Sequence, residues 1–571
     1  MPDSAKIMSL KDMIRKFVPN RSHIYIEGIL CNRLPMAAVH EVIRAKRRNL
    51  RLVSAPNSLA IDQLVGSSCV EEVEFYFLGH MTNQGFATMR RFREASEKGI
   101  IRVKESMGYS ICMALRAGAY GIPFIPIPDF RGSDLLKVRK DYRISTSPYN
   151  PDETVILVPA LNPDVLLLHS HTADTRGNVV LDEPWPIFTL TIAQACRHVL
   201  VTVEEIVEPG SLKPNQITIP HFLVDAVSLV PYGATPTAMN KMYEANFPHI
   251  ELYQEAAKTS EGFTQYLNEF VTGTSTHKEF LAKSGPAPMW GPQLKQQEVS
   301  NRNSDRHQYD DYSFDELILA ALSHQLKDGE CVFTGVASPV QMMATLLAQA
   351  THAPNLLYFN LLGTINPHPT KLPISTGDPH LFDSCENAIT FPEIFDLANN
   401  GRMDVAFLGG VQIDQFGSLN MSIIGKNYEH PKVRLPGGAG GPLMIRTFRR
   451  VISWRPNHSQ RCLVDQVSFT TSPGWISSAK GIRHGGPDII VTDLCIFRFD
   501  RSTKKVWLES IHPGVNLETI RNLTGFAFKV PSNVPFTSYP TKQECNLIRT
   551  VIDPEGTRKQ LIKPPNIQTQ K

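Results

Sequence analysis

Two glycine clusters stand out as places where backbone amides can approach a ligand closely: Gly409-Gly410 and Gly437-Gly438-Ala439-Gly440-Gly441. Successive amides in such turns form anion-binding nests. The longer cluster follows His430-Pro431-Lys432-Val433-Arg434, and its two cations turn the expectation toward a bulky phosphorylated ligand or a developing oxyanion. For an isolated glycine pair, a tight strand-end turn without a ligand is the simpler reading. No Walker pattern and no strand-linked GxGxxG is present, so ATP and dinucleotides are poor candidates. A third constellation is His169 and His171 with Asp174: a His-x-His pair points two imidazoles the same way along a strand, and a carboxylate can complete a facial metal set.

The elements that position these residues occur twice. Asp174-Thr175-Arg176-Gly177-Asn178-Val179 follows the apolar run Val165–Leu168, and Asp414-Gln415-Phe416-Gly417-Ser418-Leu419-Asn420 follows Val405–Leu408. Each half also opens alike, with a β-rich run, a glycine and a proline-started helix. The parts are Ile24–Gly28, Pro35 and "MAAVHEVIRA" in the first half, and Cys331–Gly335, Ser338-Pro339 and "VQMMATLLAQA" in the second. Ser338 is placed to cap its helix, and Pro339 suits the first helical position, where no amide donor is needed. Both helices run into another apolar strand, "NLRLVSA" and "NLLYFNLLG". A βαβ unit given twice implies an internal duplication and an α/β fold, two similar open domains in tandem with largely parallel sheets. The second-half counterpart of the histidine segment, Gly410–Asp414, has no histidine. The His169–Asp174 group is therefore expected to line the cleft between the halves or hold its loops.

A chain of 571 residues is too long for one core, and 42% apolar with 20% charged residues is ordinary globular composition. The formal net charge of +3 is negligible at this size, and the basic runs Arg44–Arg48 and Lys137–Lys140 read as solvated helix ends. Nucleic acid is not an expected partner. Nine cysteines without a CxxC pair give neither a disulfide framework nor a zinc pattern and fit reduced thiols in a cytosol. The N-terminus lacks the apolar core of a targeting peptide, and no stretch approaches the ~20 apolar residues of a membrane helix. A cytoplasmic protein is expected, with no membrane partner.

The clearest shift in composition lies at 284–310, rich in Pro, Gly, Asn, Gln and charge, and reads as a linker between domains at 1–283 and 311–571. The tail from about Pro554 is polar and is expected to be loose.

The motifs "FLGGVQIDQFGSLN", "HPKVRLPGGAGG", "TTSPGW" and "IIVTD" occur in the order and spacing that resemble the second subunit of glutaconate CoA-transferase and its relatives. "LRAGAYGIPFIP", "GSDLL" and "HTADTRGNVVLDEP" resemble the first subunit. The chain thus resembles a fused class I CoA-transferase over nearly its whole length outside the linker and tail. The resemblance implies an acyl-CoA substrate, no metal and no permanently bound cofactor, coenzyme A being part of the substrate. It implies CoA or substrate binding by Gly409, Gly410, Gln412, Lys432, Arg434, Gly437, Gly438, Gly440 and Gly441. A homo-oligomer is plausible by analogy.

In that family a glutamate of the second half attacks the thioester and carries the acyl group as an anhydride. It sits at the end of the early apolar strand, two residues before a glycine. The matching position in Leu357–Gly363 is Leu361, beside Asn360, and neither forms an acyl anhydride. Glu386 and Glu393 are not expected to substitute.

A branch of the fold that lacks this glutamate opens rings in steroid breakdown with an acidic residue of the first half. The resemblance points to Glu105, which lies near Ile101, Val103 and Met107, where desolvation would raise its pKa and fit it to act as general base. Arg116 or Arg131 would then stabilise an enolate or carboxylate. The competing reading of Glu105 is an exposed helix-start residue paired with Lys104 or Arg102, and Glu27 is a rival acid. Hydrolytic carbon–carbon cleavage of a cyclic or β-dicarbonyl acyl-CoA is the first expectation. CoA transfer between an acyl-CoA and a carboxylic acid is the alternative, and a non-catalytic acyl-CoA-binding relative is a third.

Overall fold

The computed structural model describes residues 6–82, 85–181, 188–285, 287–291, 311–369, 371–373, 375–478 and 481–565. Two compact units are present. The first comprises Met1–Ile127, Leu135–Pro292 and Ser422–Gly440; the second comprises Pro128–Asp134, Gln293–Met421 and Gly441–Lys571.

In the first unit the opening apolar run is β1 (His23–Ile26), followed by α1 (Met36–Arg44) and β2 (Leu50–Ser54). Strands β1 and β2 pair in parallel, with Ile24 opposite Leu52. Strand β3 (Val70–Phe75), α2 (Arg90–Glu97), β4 (Arg102–Glu105) and α3 (Gly108–Tyr120) follow. Then come β5 (Val165–Asp174), β6 (His198–Val207) and β7 (Ala226–Leu229). The order across the sheet is β7-β6-β5-β1-β2-β3-β4, parallel at every step. Near-continuous apolar runs such as Val165–Leu168 fit strands covered on both faces. Their core gathers Ile24, Ile26, Leu52 and Val73 with Val39 and Val42 of α1.

The second unit repeats the opening with β8 (Cys331–Thr334), α4 (Pro339–Ala350) and β9 (Leu357–Asn360). Two short strands, β10 (Thr364–Ile365) and β11 (Asn387–Ala388), come next. Strands β12 (Val405–Phe407), β13 (Arg450–Arg455), β14 (Gly486–Thr492), β15 (Cys495–Phe499) and β16 (Val506–Ile511) complete a sheet of order β11-β10-β9-β8-β12-β13-β14-β15-β16. Its middle is parallel, and both edges are antiparallel.

Three local expectations meet different outcomes. Pro339 begins α4 as read, but Ser338 makes no side-chain cap: its hydroxyl donates to the Val336 carbonyl at 3.3 Å instead. Of the stretch expected to be a linker, residues 286 and 292–310 lie outside the described residues, while the Glu244 amide donates to the Pro288 carbonyl at 2.8 Å. The tail expected to be loose carries a short helix, Arg558–Leu561, held by the buried Arg558 guanidinium on Asp315 at 2.7 Å and Asp553 at 3.0 Å. Residues 566–571 lie outside the described residues.

Candidate active site

Strand β4 ends at Glu105, just before α3 begins at Gly108, so the carboxylate sits at a strand end beside a helix N-terminus. It is fully buried. The reading of Glu105 as an exposed residue paired with its neighbours therefore fails: Lys104 and Arg102 pair with Glu72, at 3.1 and 3.4 Å. The reason is strand alternation, which turns residues 102 and 104 to the solvent-facing side and Glu105 inward.

The segment 422–440 closes over this strand end within the same unit. The Leu78 amide donates to the Pro436 carbonyl, the Ala439 amide to the Tyr76 carbonyl and the Gly108 amide to the Ala439 carbonyl, at 2.8, 2.8 and 2.9 Å. Such a close approach needs glycine. Gly437 has φ +100°, and a Cβ there would lie 2.6 Å from the Tyr76 oxygen. Gly438 then donates its amide to Glu105 Oε1 at 3.1 Å, and the Ser422 hydroxyl donates to the same oxygen at 2.7 Å.

The other carboxylate oxygen, Oε2, accepts no hydrogen bond among the described residues. Its neighbouring cation is Arg434, with Nη1 at 3.7 Å, too long for a hydrogen bond. That guanidinium is itself buried and anchored elsewhere. Nε donates to Ser96 Oγ at 2.9 Å, Nη2 donates to the Tyr428 carbonyl at 2.6 Å, and the group lies over the Tyr428 ring, 4.4 Å from its centre. Burial pushes the Glu105 carboxyl up to about 7, against the opposing pull of Arg434, the Ser422 hydroxyl and the Gly438 amide. A group poised near neutrality with one unbonded oxygen is suited to taking a proton.

The other expected residues are distributed as follows. Arg116 lies on α3 about 12 Å along the helix axis from its start, by the usual rise per residue. Its guanidinium faces Met113 Sδ at 3.8 Å and the Phe188 ring. Arg131 belongs to the second unit and pairs with the buried Asp129 at 2.6 Å. Gly409 is exposed, with open space where a Cβ would stand, whereas Gly410 is packed against the Gln412 carbonyl. Gln412 is buried, and its Oε1 accepts from Asn420 Nδ2 at 2.8 Å and the Ser468 amide at 3.0 Å. Lys432 is exposed. Gly440 is buried, and Gly441, which opens the helix Gly441–Thr447 of the second unit, packs on the Ser472 hydroxyl. Of the binding set expected from the resemblance, Arg434, Gly437 and Gly438 thus gather around Glu105. Sequence reasoning missed Ser422 and Tyr428; the Tyr428 hydroxyl accepts the Glu105 amide at 3.0 Å.

The rival groups have structural partners. Glu27 is buried and doubly ion-paired with Arg33, and it also accepts from the Thr189 hydroxyl. His169 bonds Thr202 and Glu204, at 2.9 and 2.6 Å, and His171 bonds the Asn240 carbonyl at 2.9 Å. Asp174 accepts from the Asn178 backbone and side chain. Among the described residues no group of three or more His, Cys, Asp or Glu side chains is placed to hold a metal.

At the end of β9, Asn360 and Leu361 are both buried. The Asn360 amide group donates to Thr364 Oγ1, and its oxygen accepts the Leu362 amide at 3.0 Å. Glu386 accepts from Asn366 Nδ2 at 3.0 Å, and Glu393 closes the capping box of the helix Phe391–Asn399.

The coenzyme A transferase family model matches residues 7–229 and 316–522, three quarters of the chain. This chain belongs to that family. It is a member of an enzyme family that acts on acyl-CoA thioesters. The two separate polypeptides of 3-oxoadipate CoA-transferase from Pseudomonas knackmussii both have counterparts in it. The first polypeptide is 32% identical over 49% of this chain and 98% of its own length, and the second is 35% identical over 42% of this chain and 93% of its own. A cholesterol ring-cleaving hydrolase IpdA subunit from Rhodococcus jostii is 28% identical over 49% of this chain and 96% of its own length. An acyl-CoA transferase from E. coli O157:H7 shares the fold over 99% of this chain and 98% of its own, with TM-score 0.65 at 14% identity. By identity these relatives favour CoA transfer over the hydrolysis placed first from the sequence. No helix among the described residues is long and apolar enough to cross a membrane.

Proposed function

We propose that the chain acts on a CoA-linked β-dicarbonyl compound with Glu105 as general base. The observation that carries this reading is the buried Glu105 carboxylate, with Oε1 held by two donors and Oε2 without one. In the base form it takes a proton from water. The water oxygen adds to the carbonyl remote from the thioester, the carbon–carbon bond breaks, and its electron pair passes into an enolate next to the thioester. The proton held by Glu105 returns to that carbon, so CoA stays attached and the enzyme is not acylated. Arg434, 3.7 Å from Oε2, is the cation at hand for the developing negative charge. The end of β9 supports the same reading, since Asn360 and Leu361 offer no carboxylate to carry an acyl group.

CoA transfer is the second reading, favoured by the higher identity to transferase polypeptides along both halves. It requires an acyl-enzyme and then an enzyme–CoA thioester on a carboxylate. Intact-protein mass spectrometry with borohydride trapping, run with linear, β-keto and cyclic diketo acyl-CoAs alongside product analysis, separates the two. Ring-opened or cleaved acyl-CoA with unmodified protein is the expected result. A CoA-dependent mass change on a glutamate establishes transfer and overturns the base reading.

A further inference from the structure

Tyr428 touches both members of the Glu105–Arg434 pair. Its hydroxyl accepts the Glu105 backbone amide at 3.0 Å, its ring lies under the Arg434 guanidinium, and its carbonyl accepts from Arg434 Nη2 at 2.6 Å. Ser96 Oγ holds Arg434 Nε, and Glu97 Oε1 accepts the Arg434 backbone amide at 3.0 Å. The guanidinium is therefore tethered on the side away from the carboxylate. Glu105 Oε2 and Arg434 Nη1 are both buried and both lack a hydrogen bond among the described residues, although they stand 3.7 Å apart. Two complementary buried groups this close ordinarily close up into a charge-assisted hydrogen bond.

We infer that Tyr428 is a positioning residue that holds Arg434 short of hydrogen-bond contact with Glu105, which leaves Oε2 without a hydrogen-bond donor. The inference rests on the reading of Glu105 as general base but concerns a different quantity, the separation of the pair. Without the Tyr428 ring beneath it, the guanidinium can swing Nη1 onto Oε2, while its Nε and Nη2 contacts to Ser96 and the main chain stay in place. The contact would occupy the lone pair that must receive the proton and favour the ionised carboxylate. Several charged and titratable groups among the described residues stand around this arrangement. Tyr428, whose hydroxyl burial pushes up to about 12, stays neutral across the useful range. Glu97 is engaged with Arg93 and the Arg434 amide, while Glu74 and Arg139 pair with each other beside Ser106.

The test is a titration of the whole chain by 13C NMR with label on the glutamate carboxyl carbons, the Glu105 signal being assigned by its loss in Glu105→Gln. Tyr428→Leu removes the ring and the hydroxyl, and the midpoint of Glu105 is expected to fall by about one pH unit or more. Tyr428→Phe keeps the ring, removes only the hydroxyl, and should shift the midpoint the same way by less. That milder variant carries the test should the leucine variant not fold. A Glu105 midpoint unmoved in the folded variants overturns the inference. Because the readout needs no turnover, its failure is distinct from failure of the base reading, which Glu105→Gln tests by activity.

Discussion

Each half has its own sheet, and the two sheets follow the same strand order and diverge at one edge. The first unit runs β7-β6-β5-β1-β2 and the second β14-β13-β12-β8-β9, the same parallel order laid down by the same duplicated units. Beyond β2 the first sheet continues with parallel β3 and β4, and β4 ends in Glu105. Beyond β9 the second turns back through the short antiparallel β10 and β11. A parallel neighbour delivers a strand end, and with it a side chain and a helix N-terminus, to the carboxyl edge of the sheet. An antiparallel hairpin folds away from that edge. The buried carboxylate is thus found on the extension present in one half, while the strand end of the other half, Asn360 and Leu361, carries no acid.

The largest effect expected from this asymmetry is on turnover. Glu105→Gln keeps the shape and removes the base, so the rate with a cleavable acyl-CoA should fall by about 10²–10⁴-fold while thermal unfolding is retained. Turnover near the parent level would erase the distinction between the two strand ends. The same carboxylate fixes the sign of the pH response. It works only when ionised, so kcat/KM should rise with pH and level off above about 7. Its pKa is raised by folding. The native state therefore holds its proton more tightly than the unfolded chain, and the stabilisation present at low pH is lost as pH rises through about 7. An unfolding-midpoint series against pH should lose that slope in Glu105→Gln.

The converse change, Leu361→Glu, gives the second half an acid at its strand end. Leu361 is 4% exposed, so an unpaired carboxylate there should cost about 3 kcal/mol or more, read from the urea midpoint. If the variant also forms a trapped acyl-enzyme, Leu361 is confirmed as the counterpart of the transferase glutamate. An unchanged midpoint would mean that the site has room and solvent for the charge.

The duplicated core was legible because periodicity and punctuation repeat: an apolar run, a glycine, a helix beginning near proline and a second apolar run specify βαβ in either half. For Glu105 the sequence left two readings open, an exposed helix-start residue and a carboxyl desolvated near Ile101, Val103 and Met107, and the structure buries it. Its partners were not legible. Ser422, Tyr428 and Gly438 stand 317, 323 and 333 residues away in sequence, and no local pattern couples positions so far apart. Arg116 takes its expected anion-stabilising role from the matched motif "LRAGAYGIPFIP", and the structure places it on α3 about 12 Å along the axis from the helix start. Arg434, read as a ligand-binding cation, is the guanidinium beside Glu105. Which edge of a sheet gains extra strands is likewise decided by long-range packing.

The opening turns sharpen the comparison at a smaller scale. Gly28 follows β1 with φ +117°, and a Cβ there would lie 2.6 Å from the Arg33 carbonyl oxygen. Its counterpart after β8, Gly335, meets only the Phe333 ring at 4.0 Å and has no left-handed backbone. Gly28→Ala should therefore destabilise by about 1–3 kcal/mol, and Gly335→Ala should stay within about 0.5 kcal/mol of the parent. Equal losses at both positions would show that the duplicated turns are more alike than their backbones indicate.

The smallest effect concerns the helix starts that follow those turns. Ser338 occupies the cap position of α4, where a working serine cap contributes about 1 kcal/mol by accepting an amide of the first turn. Here the hydroxyl bonds the Val336 carbonyl, and the first turn receives nothing from the side chain. Helix α1 of the first half likewise begins after Pro35 without a side-chain cap. Both helices must then be held by what they bury, Val39 and Val42 on α1 and Met342, Met343 and Leu347 on α4. On that account Ser338→Ala should move the urea midpoint by less than about 0.5 kcal/mol. A loss near that of a working cap would place the serine hydroxyl on the helix amides in solution and separate two helix starts that both lack a side-chain cap here.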